Sequence, residues 1–447
     1  MNQEKSFFRT TLEIAVPVTL QSLLQSSFSV VDQIMTGQLG STSIAAIGLA
    51  GKFASMYSVL VSAVATVAGI MIAQYVGGKD QQEVSRSFFV NLKIAFLVGI
   101  FFTALCGLFP AAVMRLYTQD ELTVAAAAGY LRIIAFSYLP IAVTVLFSTL
   151  FRCMEKAGLP LFASIVSAFV NTGLNYLLIF GKMGFPRMGI RGAAVATLIS
   201  QIFGCVLLLI FFVWCKRKDE IRLTLIHKLS AQGRAQYIGI LLPILTCEFF
   251  WSLGENVYSA VYGHIGTKSC AAMSLTAPVQ GMFIGALSGI AQAAGILIGK
   301  SLGGGEKEEA YANSKKLIWY GLAGSLALSA VLWFASPFYV QLYRVESDVS
   351  ALACQILYVF ALIAPVKVLN MILGGGIIRS GGKTKYVMWI DLIGTWIFGV
   401  PLALLSAFAL KLPIPYVYAI LSLEECVRLA ISFVVFMQKK WMCHFAV

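Results

Sequence analysis

The stretch AGIMIAQYVGGKDQQEV, residues 68–84, ends a long apolar run on a Gly-Gly turn and opens the next run with acids and amides. The pattern recurs as AGILIGKSLGGGEKEEA at residues 294–310. When the two are superposed, Pro17 falls on Pro243, Gly37 on Gly263, Gly40 on Gly266, and Ala45-Ala46 on Ala271-Ala272. Apolar composition raises chance identity, but it does not place glycines, prolines and a shared turn at the same offset. A fainter echo follows, YLRIIAFSYLP (130–140) against ILYVFALIAP (356–365). The chain is therefore read as a duplication.

The composition says what was duplicated. Of 447 residues, 59% are hydrophobic and 12% charged, against about 25% charged in soluble domains. Apolar runs long enough to cross a bilayer, about 17–25 residues each, recur end to end. Twelve spans are predicted near 13–36, 43–75, 88–112, 124–150, 159–181, 192–215, 236–262, 269–300, 315–340, 351–378, 386–409 and 414–438. The runs are too continuous for the alternating pattern of a membrane barrel. MNQEKSFFRT leads into an ordinary first span, with no small-residue cleavage site after a short apolar core.

An offset of six spans is even, so both copies enter the membrane the same way and form parallel repeats. The fold class is all-α membrane protein with two six-helix lobes. The N-lobe is assigned to 1–215, a cytoplasmic connection to 216–235 and the C-lobe to 236–447.

The net charge of +13 reads as topology. Most Lys and Arg fall on the side that holds both termini, the 76–87, 216–235 and 300–316 loops, Arg152, Lys156, Arg379, Lys383 and Lys385. By the positive-inside rule that side is cytoplasmic. A nucleic-acid role is not needed to explain the charge. Nine cysteines are scattered without CxxC spacing and read as small core residues. His227, His264 and His444 are isolated, so no metal or other cofactor is expected beyond a coupling ion.

FSVVDQIMTGQLG (28–40) sets Asp32 in the first span. An aspartate at a membrane helix centre costs about 2.5–3.5 kcal/mol on insertion scales. Such a carboxylate either takes up a proton or pairs with a cation. Asn171 and Asn175 are four apart and share a helix face, as do Ala193 and Thr197. Amide oxygen, hydroxyl and carbonyl suit a hard cation. Glu248 and Glu255, seven apart, share one face of the seventh span. Asp391 is the remaining deep acid. Tyr258 stands where the repeat would place a second Asp32, so the lobes are not equivalent.

Lys52 and Lys367 lie within spans and can snorkel; Lys52 is also a possible partner of Asp32, and Lys367 of the C-lobe acids. Glu424, Glu425 and Arg428 are expected to form a local cluster near the membrane edge. Met35, Met56, Trp251, Tyr258, Met282 and Met371 are named as adaptable walls of a substrate cleft.

These motifs, with NTGLNYLLIFG (171–181), RGAAVATLISQ (191–201) and IIRSGGKTKYVMWIDLIGTWIFGVP (377–401), resemble the multidrug and toxic compound extrusion (MATE) transporters over nearly the whole chain. The likeness is to the bacterial branch that includes DNA-damage-inducible proteins of DinF type. The resemblance implies export of cationic or amphipathic compounds in exchange for H+ or Na+, by a monomer rocking between two states in a bacterial inner membrane. It makes Asp32 the first-helix aspartate of an N-lobe cation site, with Asn171, Asn175, Ala193 and Thr197. The family's Na+ pattern has a second acid where this chain has Asn175, which leaves Na+ and H+ open. Other branches carry a seventh-span glutamate where this chain has Trp251, flanked by Glu248 and Glu255.

AGILIGKS (294–301) nearly spells a phosphate loop, but such a loop needs a strand before it, and here a long apolar run precedes it. Its small-xxx-small spacing favours close helix packing instead. A flippase for lipid-linked saccharides is the alternative function. It calls for a cationic cavity, whereas the deep charges here are mainly acids. An intramembrane enzyme is a third alternative; it would need a His/Asp, Ser/His or metal constellation in the spans, and none is visible in the sequence.

Overall fold

The computed structural model describes residues 2–219, 221, 223–224, 231–341 and 346–445. His227 and much of the 216–235 connection lie outside them. The described residues are mostly helical, with no strand among them. The helices are α1 (Asn2–Gly37), α2 (Ser41–Gly77), α3 (Gln81–Leu108), α4 (Pro110–Arg115), α5 (Glu121–Ile134), α6 (Tyr138–Cys153), α7 (Gly158–Phe180) and α8 (Ile190–Arg217). They continue as α9 (Ala231–Ile265), α10 (Thr267–Gly303), α11 (Lys307–Gln341), α12 (Ser347–Asn370), α13 (Thr384–Leu392), α14 (Val400–Leu404), α15 (Ile414–Leu421) and α16 (Leu423–Met437).

Among the described residues, eleven helical segments are long and apolar enough to cross a membrane, among them Glu121–Cys153, in which α5 and α6 join through a short 3-10 turn. They match the first eleven spans expected. The twelfth, 414–438, is instead α15 and α16, meeting at Ser422. These two helices have 8 and 15 residues, each shorter than the other spans. Large apolar side chains stand exposed along the helices, among them Phe101, Phe169, Phe334, Phe338 and Leu362. Soluble monomers do not display apolar surface on this scale.

Local chemistry sets the helix ends. Asp80 caps α3, its Oδ1 accepting from the Gln82 and Glu83 amides at 3.0 Å each. Asp120 caps α5 through the Thr123 amide at 3.1 Å. Gly181 closes α7 with φ of 66°, a conformation that costs glycine nothing. Pro17 and Pro243, the repeat's marker prolines, sit inside α1 and α9, as membrane helices tolerate.

The chain forms two compact units. One comprises Met1–Ser22, Ala73–Lys79 and Arg234–Val447; the other comprises Leu23–Ile72 and Asp80–Gly233. In the second unit, Tyr57, Phe102, Leu131 and Tyr138 belong to a buried core, and the Tyr57 hydroxyl donates to the Tyr138 carbonyl. In the first unit the core runs along α10, α12 and the segments beyond.

That first unit also shows what the repeated Gly-Gly turns do. A Cβ on Gly77 would fall onto the backbone of Lys300, and a Cβ on Gly303 onto the backbone of Gln74. Gln74 and Lys300 are themselves repeat equivalents, as are Gly77 and Gly303. The contact is therefore reciprocal, as at a two-fold axis. Gly299 packs against the Ala73 Cβ in the same crossing, with 3.1 Å left for a methyl. α10 is helical from Thr267 through Gly303, so the 294–301 stretch is a packing surface with no strand before it.

Three π-helical segments interrupt the later helices: Met371–Ile378 after α12, Ile393–Gly399 after α13 and Leu405–Ala409 after α14. The first two carry Gly374, Gly375, Gly376, Gly394 and Gly399. Widened turns of this kind are frequent at functional sites.

Candidate functional site

Two polar clusters lie within the apolar helices, one in each unit. In the second unit, α7 and α8 carry an amide and hydroxyl ladder that ends on Asp32 of α1. Asn175 Nδ2 donates to Asp32 Oδ1, and to Asn171 Oδ1 at 3.1 Å. Asn171 Nδ2 reaches Thr197 Oγ1 and Ser200 Oγ, both at 3.4 Å. Thr197 Oγ1 donates to the Ala193 carbonyl at 3.0 Å. The five residues singled out from the sequence are thus joined in one chain of hydrogen bonds. The i,i+4 spacing on α7 and α8 is what turns each pair to a common face. Ser200, one turn beyond Thr197, is an addition that the same spacing rule could have found.

Asp32 is half-buried and Asn175 is buried, 1% exposed. Asn175 Oδ1 has no donor. A carboxylate and an open amide oxygen thus stand side by side, with the Asn171 and Thr197 oxygens next along. Oxygen-only donors of this kind suit a hard cation, and a lone carboxylate equally suits a proton. Lys52 is exposed and does not pair with Asp32, whose partner is the Asn175 amide.

The first unit holds a cavity of about 390 Å3. Glu248, Glu255 and Asp391 all line it, as do Trp251 and Met371. So do Lys367, Arg379, Glu424, Glu425 and Arg428. The last three are expected as a local cluster, and here they are also buried inside the protein. Glu424, Glu425 and Arg428 are 6%, 7% and 8% exposed. Their local pairing does occur: Arg428 lies 3.4 Å from Glu424 and 3.8 Å from Glu425. Lys367 does not snorkel away but reaches Glu425 at 3.2 Å. Asn370 donates to the Glu425 carboxylate at 2.8 Å. Charges of both signs, matched across α12 and α16, make this burial tolerable.

Tyr258 is a structural member of the same network. It is 4% exposed and donates to Glu424 at 2.6 Å, so it is no free cleft wall. Arg428 also donates to Thr395 Oγ1. At another part of the lining, Arg379 lies 3.8 Å from Glu248, and the Cys247 thiol donates to Asp391 Oδ2 at 2.8 Å. Met282 is on α10 and outside this lining. Met35 and Met56 belong to the other unit, where Met56 Sδ accepts from Tyr117 at 3.9 Å. Of the six proposed wall residues, Trp251 and Met371 line this cavity.

A multi-helix apolar fold with a carboxylate in an amide cluster and a separate charged cavity has the character of a membrane transporter. The MatE family profile matches residues 17–177 and 243–405. The two matches begin at Pro17 and Pro243, the landmarks of the duplication, and the chain belongs to the MatE family. Among its relatives is a probable multidrug resistance protein NorM of Rhizobium meliloti, 28% identical over 93% of this chain and 89% of that one. The uncharacterized transporter YisQ of Bacillus subtilis is 20% identical over 95% of this chain and 92% of its own. A solved MOP superfamily transporter from Pyrococcus furiosus, described as having a binding pocket of reverse polarity, shares the fold. It has a TM-score of 0.87 at 17% identity, covering 97% of this chain and 96% of that one.

Proposed function

We propose that the protein is a secondary antiporter. It exports cationic or amphipathic compounds, multidrug substrates in the sense of the NorM relatives' names, in exchange for H+ or Na+. The observation that carries this reading is Asp32, a carboxylate in a membrane helix whose hydrogen-bond partner is the neutral Asn175 amide. With no ion-pair partner among the described residues, the carboxylate is neutral only when it holds a proton or a bound ion. Loading and unloading that charge biases two conformations, and alternating access follows. Both termini face the cytoplasm of a bacterial inner membrane, as the lysine and arginine distribution directs, and one chain suffices.

The lipid-linked saccharide flippase is the rival. It needs unmatched cations to hold a diphosphate, whereas Lys367, Arg379 and Arg428 in the cavity each have a carboxylate within 4 Å.

The test is tetraphenylphosphonium or ethidium movement in proteoliposomes carrying an imposed Na+ gradient, an H+ gradient or neither. Movement driven by one gradient names the ion. No gradient-driven movement of either compound would overturn the antiport reading.

A further inference from the structure

The charges lining the first unit's cavity do not balance. Three cations are matched: Arg379 by Glu248, Lys367 by Glu425, and Arg428 by Glu424. Two carboxylates, Glu255 and Asp391, have no ion-pair partner among the described residues. They are also well separated. Asp391 is fixed to Cys247 by the thiol bond, while Glu255 stands eight residues further along α9. At 1.5 Å per residue the two levels are about 12 Å apart. Trp251 lies between them on the same helix and lines the cavity, offering an aromatic face to a passing cation. Asn370 Oδ1 is buried without a donor, and Asn370 also lines the cavity, so an N–H group of a ligand would find an acceptor there.

We infer that this cavity is a two-point site for linear dications, compounds with ammonium or amidinium groups at both ends. One end sits at Asp391, the other at Glu255, and the connecting chain lies along Trp251. A monocation neutralises only one of the two acids. A short dication cannot reach both. Once one end is bound, the second binds at high effective concentration. The inference names a substrate class for the efflux reading and rests on it for physiological meaning, but binding is measured without any gradient.

The experiment is calorimetric titration of the purified full chain in detergent with three probes. Octamethylenediamine spans about 11 Å between nitrogens at roughly 1.2 Å per bond of extended chain. Tetramethylenediamine spans about 6 Å on the same scale. The eight-carbon amino alcohol has the length of the first and one charge. Octamethylenediamine should bind at least about tenfold more tightly than either of the others. In Glu255→Gln and in Asp391→Asn its affinity should fall to that of the amino alcohol, with melting temperature checking that each variant is folded. Equal affinity for the three probes in the native chain would overturn the two-point site, whatever the variants do. So would a folded variant that keeps the preference for the long diamine. Loss of gradient-driven transport with the length preference intact would overturn the antiport reading and leave the site standing.

Discussion

Replacing Arg428 with methionine should destabilise the protein, and removing one further charge should restore much of the loss. Arg428, Lys367, Glu424 and Glu425 form a neutral set of two cations and two carboxylates, joined at 3.2–3.8 Å. Three of the four are less than a tenth exposed. Arg428→Met leaves two buried carboxylates facing one ammonium. Breaking a buried pair in this way costs about 3–5 kcal/mol, because one charge is left uncompensated. Methionine keeps much of the stem that packs on Gly394, so cavity formation adds little. The double variant Arg428→Met with Glu424→Gln is neutral again, and the amide oxygen still accepts from Tyr258. Neighbours within one charge network couple by about 0.5–3 kcal/mol, and this pair belongs at the upper end. The assay is the thermal unfolding midpoint in one detergent for the native chain and the three variants. The expected order is native highest, the double next, Arg428→Met lowest, with Glu424→Gln between native and Arg428→Met. A double variant no more stable than Arg428→Met would refute the charge-balance argument.

Further predictions concern the fold. Gly303→Ala and Gly77→Ala each push a methyl into the facing helix backbone and should each cost about 1–3 kcal/mol or more. Gly107→Ala, with nothing within 4 Å, should be neutral or stabilising in the same melting assay. Gln74→Leu removes the bonds from its amide to the Ser380 and Cys443 carbonyls and from the Phe445 amide to its oxygen. The segment around Cys443 should then open, read as faster maleimide labelling of Cys443 by peptide mass spectrometry. Labelling at the native rate would contradict the docked placement. The Asp120 carboxyl is held below its usual range by the Thr123 side chain and amide. Its folded value is depressed, so its stabilisation is present above the ordinary carboxylate range and lost as pH falls through the folded value. The melting difference between native and Asp120→Ala should therefore be fully present at neutral pH and shrink at acid pH.

Long-range pattern was legible in the sequence; short-range partnership was less so. Eleven spans and the duplication follow from apolar runs and from glycine and proline landmarks, because burial in lipid constrains whole segments. Helical spacing fixes that Asn171 and Asn175 share a face, as do Ala193 and Thr197, while the placement of Asp32 beside them is what the resemblance to the MATE family implies. The burial of Glu424, Glu425 and Arg428 inside the protein is not legible in hydropathy, which counts charges singly. Their burial depends on Lys367, more than fifty residues away in the chain. Tyr258 was read as a cleft wall, but its hydroxyl is committed to Glu424, a contact that no local pattern reveals. The first two π segments fall on glycine-rich turns, a local widening that no hydropathy window reports.

The central claim is that Asp32 couples an ion to export. The most direct measurement is gradient-driven tetraphenylphosphonium transport by Asp32→Asn beside the native chain, in proteoliposomes of equal protein content. Asparagine preserves size and can still hydrogen-bond Asn175, but it cannot carry the charge. The account predicts that the gradient no longer drives transport in the variant while its melting temperature stays close to native. Undiminished gradient-driven transport by Asp32→Asn would contradict it and move the coupling to Glu255 or Asp391.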